Sequence, residues 1–95
     1  MQEIRFTWDD EKKEANYQKH GISFSEAKSV FYDERARLRH DPDHSEDEDR
    51  FLLLGMSYSL RILVVCHCYR EEETVVRIIS ARKATRNEQQ QYESF

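Results

Sequence analysis

The chain has 95 residues, enough for one small core and no second one, and residues 1–95 are expected to form a single domain. With 38% hydrophobic residues, eleven aromatics and 36% charged residues, it reads as a packed globular protein and not as a disordered one. The formal net charge of −4 argues against a uniformly basic nucleic-acid binder, no apolar run approaches membrane-spanning length, and the polar N-terminus is unlike a signal peptide, so a cytoplasmic chain is expected.

Along the chain, "EIRFTW" alternates apolar and polar residues and predicts a first strand. Asp9 or Asp10 is placed to cap a helix through "EKKEANYQKH", and Gly21 stands just past its end, where glycine is favoured. Ser23 and Glu26 have the spacing of a capping box and open a second helix, whose Phe24, Ala27, Val30 and Phe31 fall on one face. "RARLRH" predicts a short, charged edge strand. An acidic loop follows, then three strand patterns: "RFLLLGMS", "RILVVCHCY" and "TVVRIISA". Thr85 and Glu88 repeat the capping-box spacing and start a last helix from Arg86 towards Tyr92. The expected class is α+β, in the order β-α-α-β-β-β-β-α. Its sheet is mostly antiparallel, with two N-terminal helices on one face and a C-terminal helix.

Within "RILVVCHCY", Ile62, Val64, Cys66 and Cys68 share a wholly apolar face, which is expected to carry the helices. The other face holds Arg61, Leu63, Val65, His67 and Tyr69. A turn centred on Glu72 and a two-residue turn at Tyr58-Ser59 would set Arg50, His67 and Arg77 in line across three strands, away from the helices. The two cysteines are poorly placed to bond to each other, which fits a reduced chain. The loop "DPDHSEDED" is a poor calcium site, since Glu46 stands where glycine is needed and Leu52 where a bidentate glutamate is needed. His40 and His44 with Asp41 and Asp43 are a weak transition-metal candidate, and Cys66 and Cys68 around His67 do not make a zinc site. No metal and no cofactor is expected.

The charge is unevenly spread. Residues 1–49 hold 8 Lys/Arg against 14 Asp/Glu, whereas residues 50–95 hold 7 against 5. In "RIISARKATRNEQQQY", Arg82, Lys83 and Arg86 gather where a strand gives way to a helix, with no acid between Glu73 and Glu88. Cations around a helix N-terminus oppose its dipole, so local stability does not account for them, while an anion would. A solvated basic patch, or one that meets the protein's own acids, is the plainer alternative.

The segments "FTWDDEKKEANYQKHGISFSEAKSVF", "DPDH", "RFLLLGMS" and "RIISARKATRNEQQQYE" together resemble the BrnT family, the toxin halves of type II toxin–antitoxin pairs. That resemblance spans nearly the whole chain. It implies a RelE-like fold and a metal-independent endoribonuclease that cuts RNA and arrests translation and growth. It also implies neutralisation by a ribbon-helix-helix antitoxin, BrnA, in a toxin–antitoxin hetero-oligomer. Cutting RNA without a metal requires an acid and a base and a cationic group on the phosphate. Arg77 and Arg82 suit the phosphate, His67 is the leading acid or base, and His20 is the second candidate. Arg50, Lys83, Arg86 and Lys19 would hold flanking phosphates, and Tyr92 would stack on a base unless it packs on the domain's edge. Trp8 reads as core. A non-catalytic module that binds nucleic acid or protein through the same junction, or an interaction domain that has lost its activity, would carry the same cations. An acidic or apolar antitoxin segment is expected to lie across the junction.

Overall fold

Asp9 starts the first helix, and its carboxylate accepts the Lys12 N–H at 3.1 Å. The computed structural model describes residues 4–44 and 48–94. Its elements are β1 (Arg5–Thr7), α1 (Asp10–His20), α2 (Phe24–Ser29) running on into a 3-10 turn, and β2 (Arg37–Asp41). After them come β3 (Arg50–Met56), β4 (Ile62–Arg70), β5 (Val75–Lys83) and α3 (Arg86–Glu93). Gly21 ends α1 in a left-handed conformation, φ 68°, with its N–H on the Tyr17 carbonyl. Ser23 Oγ accepts the Glu26 N–H, but Glu26 does not complete the capping box. Its buried carboxylate instead accepts from Arg61 and from Ser57 Oγ, tying α2 to the β3–β4 hairpin. The Arg61 hydrogen bond leads the interactions that hold the Glu26 carboxyl below its ordinary range, against the opposing effect of burial.

The sheet runs β1-β5-β4-β3-β2. β1 lies parallel to β5, and the other neighbours are antiparallel, so the fold is α+β with a mixed sheet. β1 covers β5 only from Val75 to Arg77. Beyond that point the buried Asn16 of α1 takes over the edge, donating to the Ala81 carbonyl at 2.9 Å and accepting the Ala81 N–H at 3.0 Å. Among the described residues no helix is long and apolar enough to cross a membrane.

The helices lie on the opposite face from the one expected. Phe24, Ala27 and Val30 pack with Leu53, Leu63, Val65, Val76, Ile78 and Ala81, so the Leu63 face of β4 is the main core. Phe31 and Trp8 pack against this cluster, Trp8 edge-on to Phe24. His67 therefore lies beneath α2 and its 3-10 extension, fully buried, its ring edge-on to Phe31 at 4.8 Å between centroids. The Ile62, Val64 face carries α3 instead, through Tyr92 and Ala84. Gly55 shows why. A Cβ there would lie 2.8 Å from Val30 Cγ1 and 2.9 Å from Ala36 Cβ, so the glycine admits the α2 layer onto β3, next to its pairing partner Leu63.

The register also departs from expectation. Tyr58, Ser59 and Leu60 make a three-residue loop, closed by Ser57 N–H on the Arg61 carbonyl, with Leu60 left-handed at φ 62°. That one extra loop residue puts Phe51, not Arg50, opposite His67. At the other end Arg70 pairs with Val75 around a four-residue turn, which puts Arg77 opposite Cys68. A bulge at Ile79 then shifts β5 by one, so that Cys66 faces Ser80 and Val64 faces Arg82. Arg50, His67 and Arg77 form no row.

Candidate nucleic-acid interface

β2 is an edge strand in which arginine alternates. Arg37 and Arg39, two apart, point to one face. That face is the one beside α3. Cross-strand pairing gives two rows across the sheet: Arg37, Leu54, Val64, Arg82, and beside it Arg39, Leu52, Cys66, Ser80. Arg50 opens the next row, opposite Asp41. Two cavities lie over these rows. One, of about 360 Å³, is lined by Arg39, Arg50 and Arg82 with Asp41, Asp43, Cys66 and Ser80. The other, of about 230 Å³, runs between Arg37 and Arg39 of β2 and Glu88 and Gln91 of α3. They share Arg39, Leu52 and Val64, and so form one groove with an aliphatic floor.

Arg82 is held in this groove by an acid of α3. Its Nη1 and Nη2 donate to the two oxygens of Glu88 at 2.7 and 2.9 Å, an end-on bidentate pair. Glu88 also completes the capping box of α3, accepting the Thr85 N–H at 2.8 Å while Thr85 Oγ1 accepts the Glu88 N–H. The Arg82 hydrogen bonds, first among these contacts, hold the Glu88 carboxyl down at about 2. Arg82 is thus compensated by one of the protein's own acids, contrary to the expectation of an uncompensated junction. The pair uses only one edge of the guanidinium. Nη1 also reaches the Lys83 carbonyl at 3.3 Å, and the Nε edge donates to no acceptor among the described residues. A fork with one edge clamped and the other open is oriented for an anion.

The remaining candidates are dispersed. Arg77 shares the α3 face, opposite Cys68, but lines neither cavity. Arg86 is exposed at the start of α3. Lys83 pairs with Leu63, which places it on the α1–α2 side. His20 and Lys19 end α1, on that same far side. His67 Nδ1 lies 3.1 Å from the Val65 carbonyl and Nε2 3.1 Å from the Tyr69 hydroxyl. A carbonyl only accepts, so Nδ1 carries the proton and donates to Val65, while Nε2 accepts from Tyr69. Burial pushes the His67 pKa below its ordinary 6.5, and the ring stays neutral. Tyr92 is buried against Leu54 and Val64, and its hydroxyl donates to Asp33 at 2.7 Å, so its ring is not on offer to a base.

Cys66 and Cys68 are free thiols whose pKa burial raises. Among the described residues no group of three His, Cys, Asp or Glu could hold a metal ion. The part of the acidic loop formed by residues 45–47, and the side chain of His44, lie outside the described residues. Arg37 and Arg39 were not among the expected site residues. The signal for them was the two-residue spacing of arginines in "RARLR".

The model of the family described as "Ribonuclease toxin, BrnT, of type II toxin-antitoxin system" matches residues 8–88. The chain belongs to the BrnT family. The match contains every arginine of the groove and Glu88 and stops short of Gln91 and Tyr92. The crystal structure of the Brucella abortus ribonuclease toxin BrnT has a similar fold: TM-score 0.63 and 24% identity, over 87% of this chain and 99% of that one. No curated protein matches. As a BrnT-family member, the chain is a ribonuclease toxin of a type II toxin–antitoxin system.

Proposed function

We propose that this BrnT-family chain is a cytoplasmic endoribonuclease that cuts RNA in the arginine groove without a metal ion, and that a BrnA-type ribbon-helix-helix antitoxin silences it. The observation that carries the reading is Arg82, clamped by Glu88 at the edge of a cavity that Arg39 and Arg50 also line. Guanidinium groups stabilise the charge of a pentacoordinate phosphorane, the task a metal ion would otherwise perform. The 2′-oxygen attacks phosphorus, the bond to the 5′-oxygen breaks, and a 2′,3′-cyclic phosphate and a 5′-hydroxyl result. The 2′-OH proton goes to a base and an equivalent proton returns to the leaving oxygen. Asp41 and Asp43, the carboxylates lining the arginine cavity, would serve that transfer in this reading. His67 is sealed in the core and has a packing task in this reading.

The antitoxin would cover the groove with acidic residues, reaching Arg82 and Arg86 at its rim. Purified chain incubated with RNA in excess EDTA should yield fragments ending in 2′,3′-cyclic phosphate. Loss of cleavage with chelator, restored by magnesium or zinc, would refute the metal-independent reading. Growth arrest by the chain alone should be relieved by co-expressing a BrnA-type antitoxin, and arrest that persists would place the partner in another class.

A further inference from the structure

The smaller half of the groove has a composition that phosphate binding does not require. Its floor is Leu52, Leu54 and Val64, from neighbouring strands. One wall is the Arg37 and Arg39 side chains of β2, and the other is Glu88 and Gln91 of α3. The adjoining cavity adds Ser80, Asp41 and Asp43 to the shared Leu52 and Val64, whereas the floor of this slot offers no polar side chain. An apolar floor with arginines along one wall and a carboxylate and an amide along the other suits a flat heteroaromatic ring. Such a ring stacks on guanidinium planes and aliphatic surface, and its edge needs hydrogen-bonding groups. The adjoining cavity, sharing Arg39, Leu52 and Val64, is lined by Arg39, Arg50 and Arg82. A nucleotide has this layout, a base joined to a phosphate through one sugar.

Resting on the reading of the arginine cavity as the phosphate site, we propose that the slot between β2 and α3 is a nucleobase subsite, with Gln91 as a specificity-determining residue. The substrate is then single-stranded RNA with one base turned out of its stack, since a base held in a duplex cannot enter a slot walled on both sides. Gln91 carries both a donor and an acceptor and is exposed at the rim. Glu88, ionised by its Arg82 pairing, offers only acceptors. The rim therefore favours a base edge that presents donors.

The probes are the four nucleoside monophosphates and ribose 5-phosphate, titrated into the intact chain and followed by calorimetry or amide shifts. At least one nucleotide should bind about five-fold or more tighter than ribose 5-phosphate, the gain expected when a base stacks. Gln91→Glu, at an exposed helix position, should weaken ribose 5-phosphate and all four nucleotides by one common factor through its added charge, and should also reorder the four nucleotides among themselves. The same variant should shift the base preference at one position of cleaved single-stranded RNA. Equal affinity for ribose 5-phosphate and all four nucleotides overturns the base subsite and leaves the phosphate cavity standing. An unchanged nucleotide order in Gln91→Glu removes Gln91 from the assignment. If neither phosphate probe binds, the arginine cavity itself fails and the slot falls with it.

Discussion

Replacing Glu88 by Gln isolates the charge of the Arg82–Glu88 pair. Glutamine can still accept the Thr85 N–H in a capping box, so the helix start is kept while the ion pair is lost. The Glu88 carboxyl is held at about 2, against an ordinary 4.5. That gap corresponds to an upper bound of about 3 kcal/mol. The Arg82 side chain is 39% exposed, so solvent screening and side-chain entropy bring the expected loss down to about 1–2 kcal/mol. The sign follows from a depressed carboxyl. The stabilisation is complete above pH 4.5 and is lost as the pH falls from 4.5 towards about 2. Denaturant titrations of the native chain and Glu88→Gln should therefore differ at pH 7 and converge at the acid end. Equal stability at pH 7 would show that the pair contributes nothing net. A difference undiminished at pH 2 would mean that shape, and not charge, was lost.

Two further outcomes test the fold that positions the groove. Gly55→Ala should lower stability by about 1–3 kcal/mol, because the added methyl meets Val30 Cγ1 and Ala36 Cβ at under 3 Å; an unchanged thermal midpoint would mean that the α2 layer shifts freely. His67 has a pKa depressed by burial, so the unfolded chain takes up a proton that the folded chain refuses, and stability should fall as the pH drops below 6.5. His67→Leu should remove that part of the slope between pH 7 and 5, measured by denaturant titration, and should still cleave RNA at temperatures where it is folded. An unchanged slope would place the titration elsewhere.

Element order was legible in the sequence because caps and periodicity are local. Asp9, Gly21, Ser23 and Thr85 each terminate or start a helix where their chemistry directs. Face choice was not legible from β4 alone, since Ile62, Val64 and Cys66 are as apolar as Leu63 and Val65. The deciding residue was Gly55 on the next strand, whose missing side chain only matters once α2 is laid on it. Register failed for a similar reason. A left-handed Leu60 and three successive left-handed glutamates, Glu71 to Glu73, are not the residues that usually announce such turns. The bulge at Ile79 leaves no mark in composition. Arg50, His67 and Arg77 were expected in one row, with Arg82 apart at the strand–helix junction; the actual register buries His67 on the other face and sets Arg82 in a row with Arg37, which the expectation left out. Glu88, counted only as a capping residue, also binds Arg82, and a spacing of six across a strand–helix junction gives no periodic cue.

On the proposed function, RNA is held and cut on the α3 face of the sheet and not on the α1–α2 face. Cleavage of single-stranded RNA by Arg39→Ala and Arg50→Ala, set beside Lys19→Ala and His20→Ala, tests it most directly, with circular dichroism confirming that all four are folded. The groove variants should each lose cleavage by about a hundred-fold, as expected when an oriented donor to transition-state charge is removed, while the α1 variants cleave as the native chain does. Full activity in both groove variants, with loss at Lys19 or His20, would contradict the account and move the site to the opposite face.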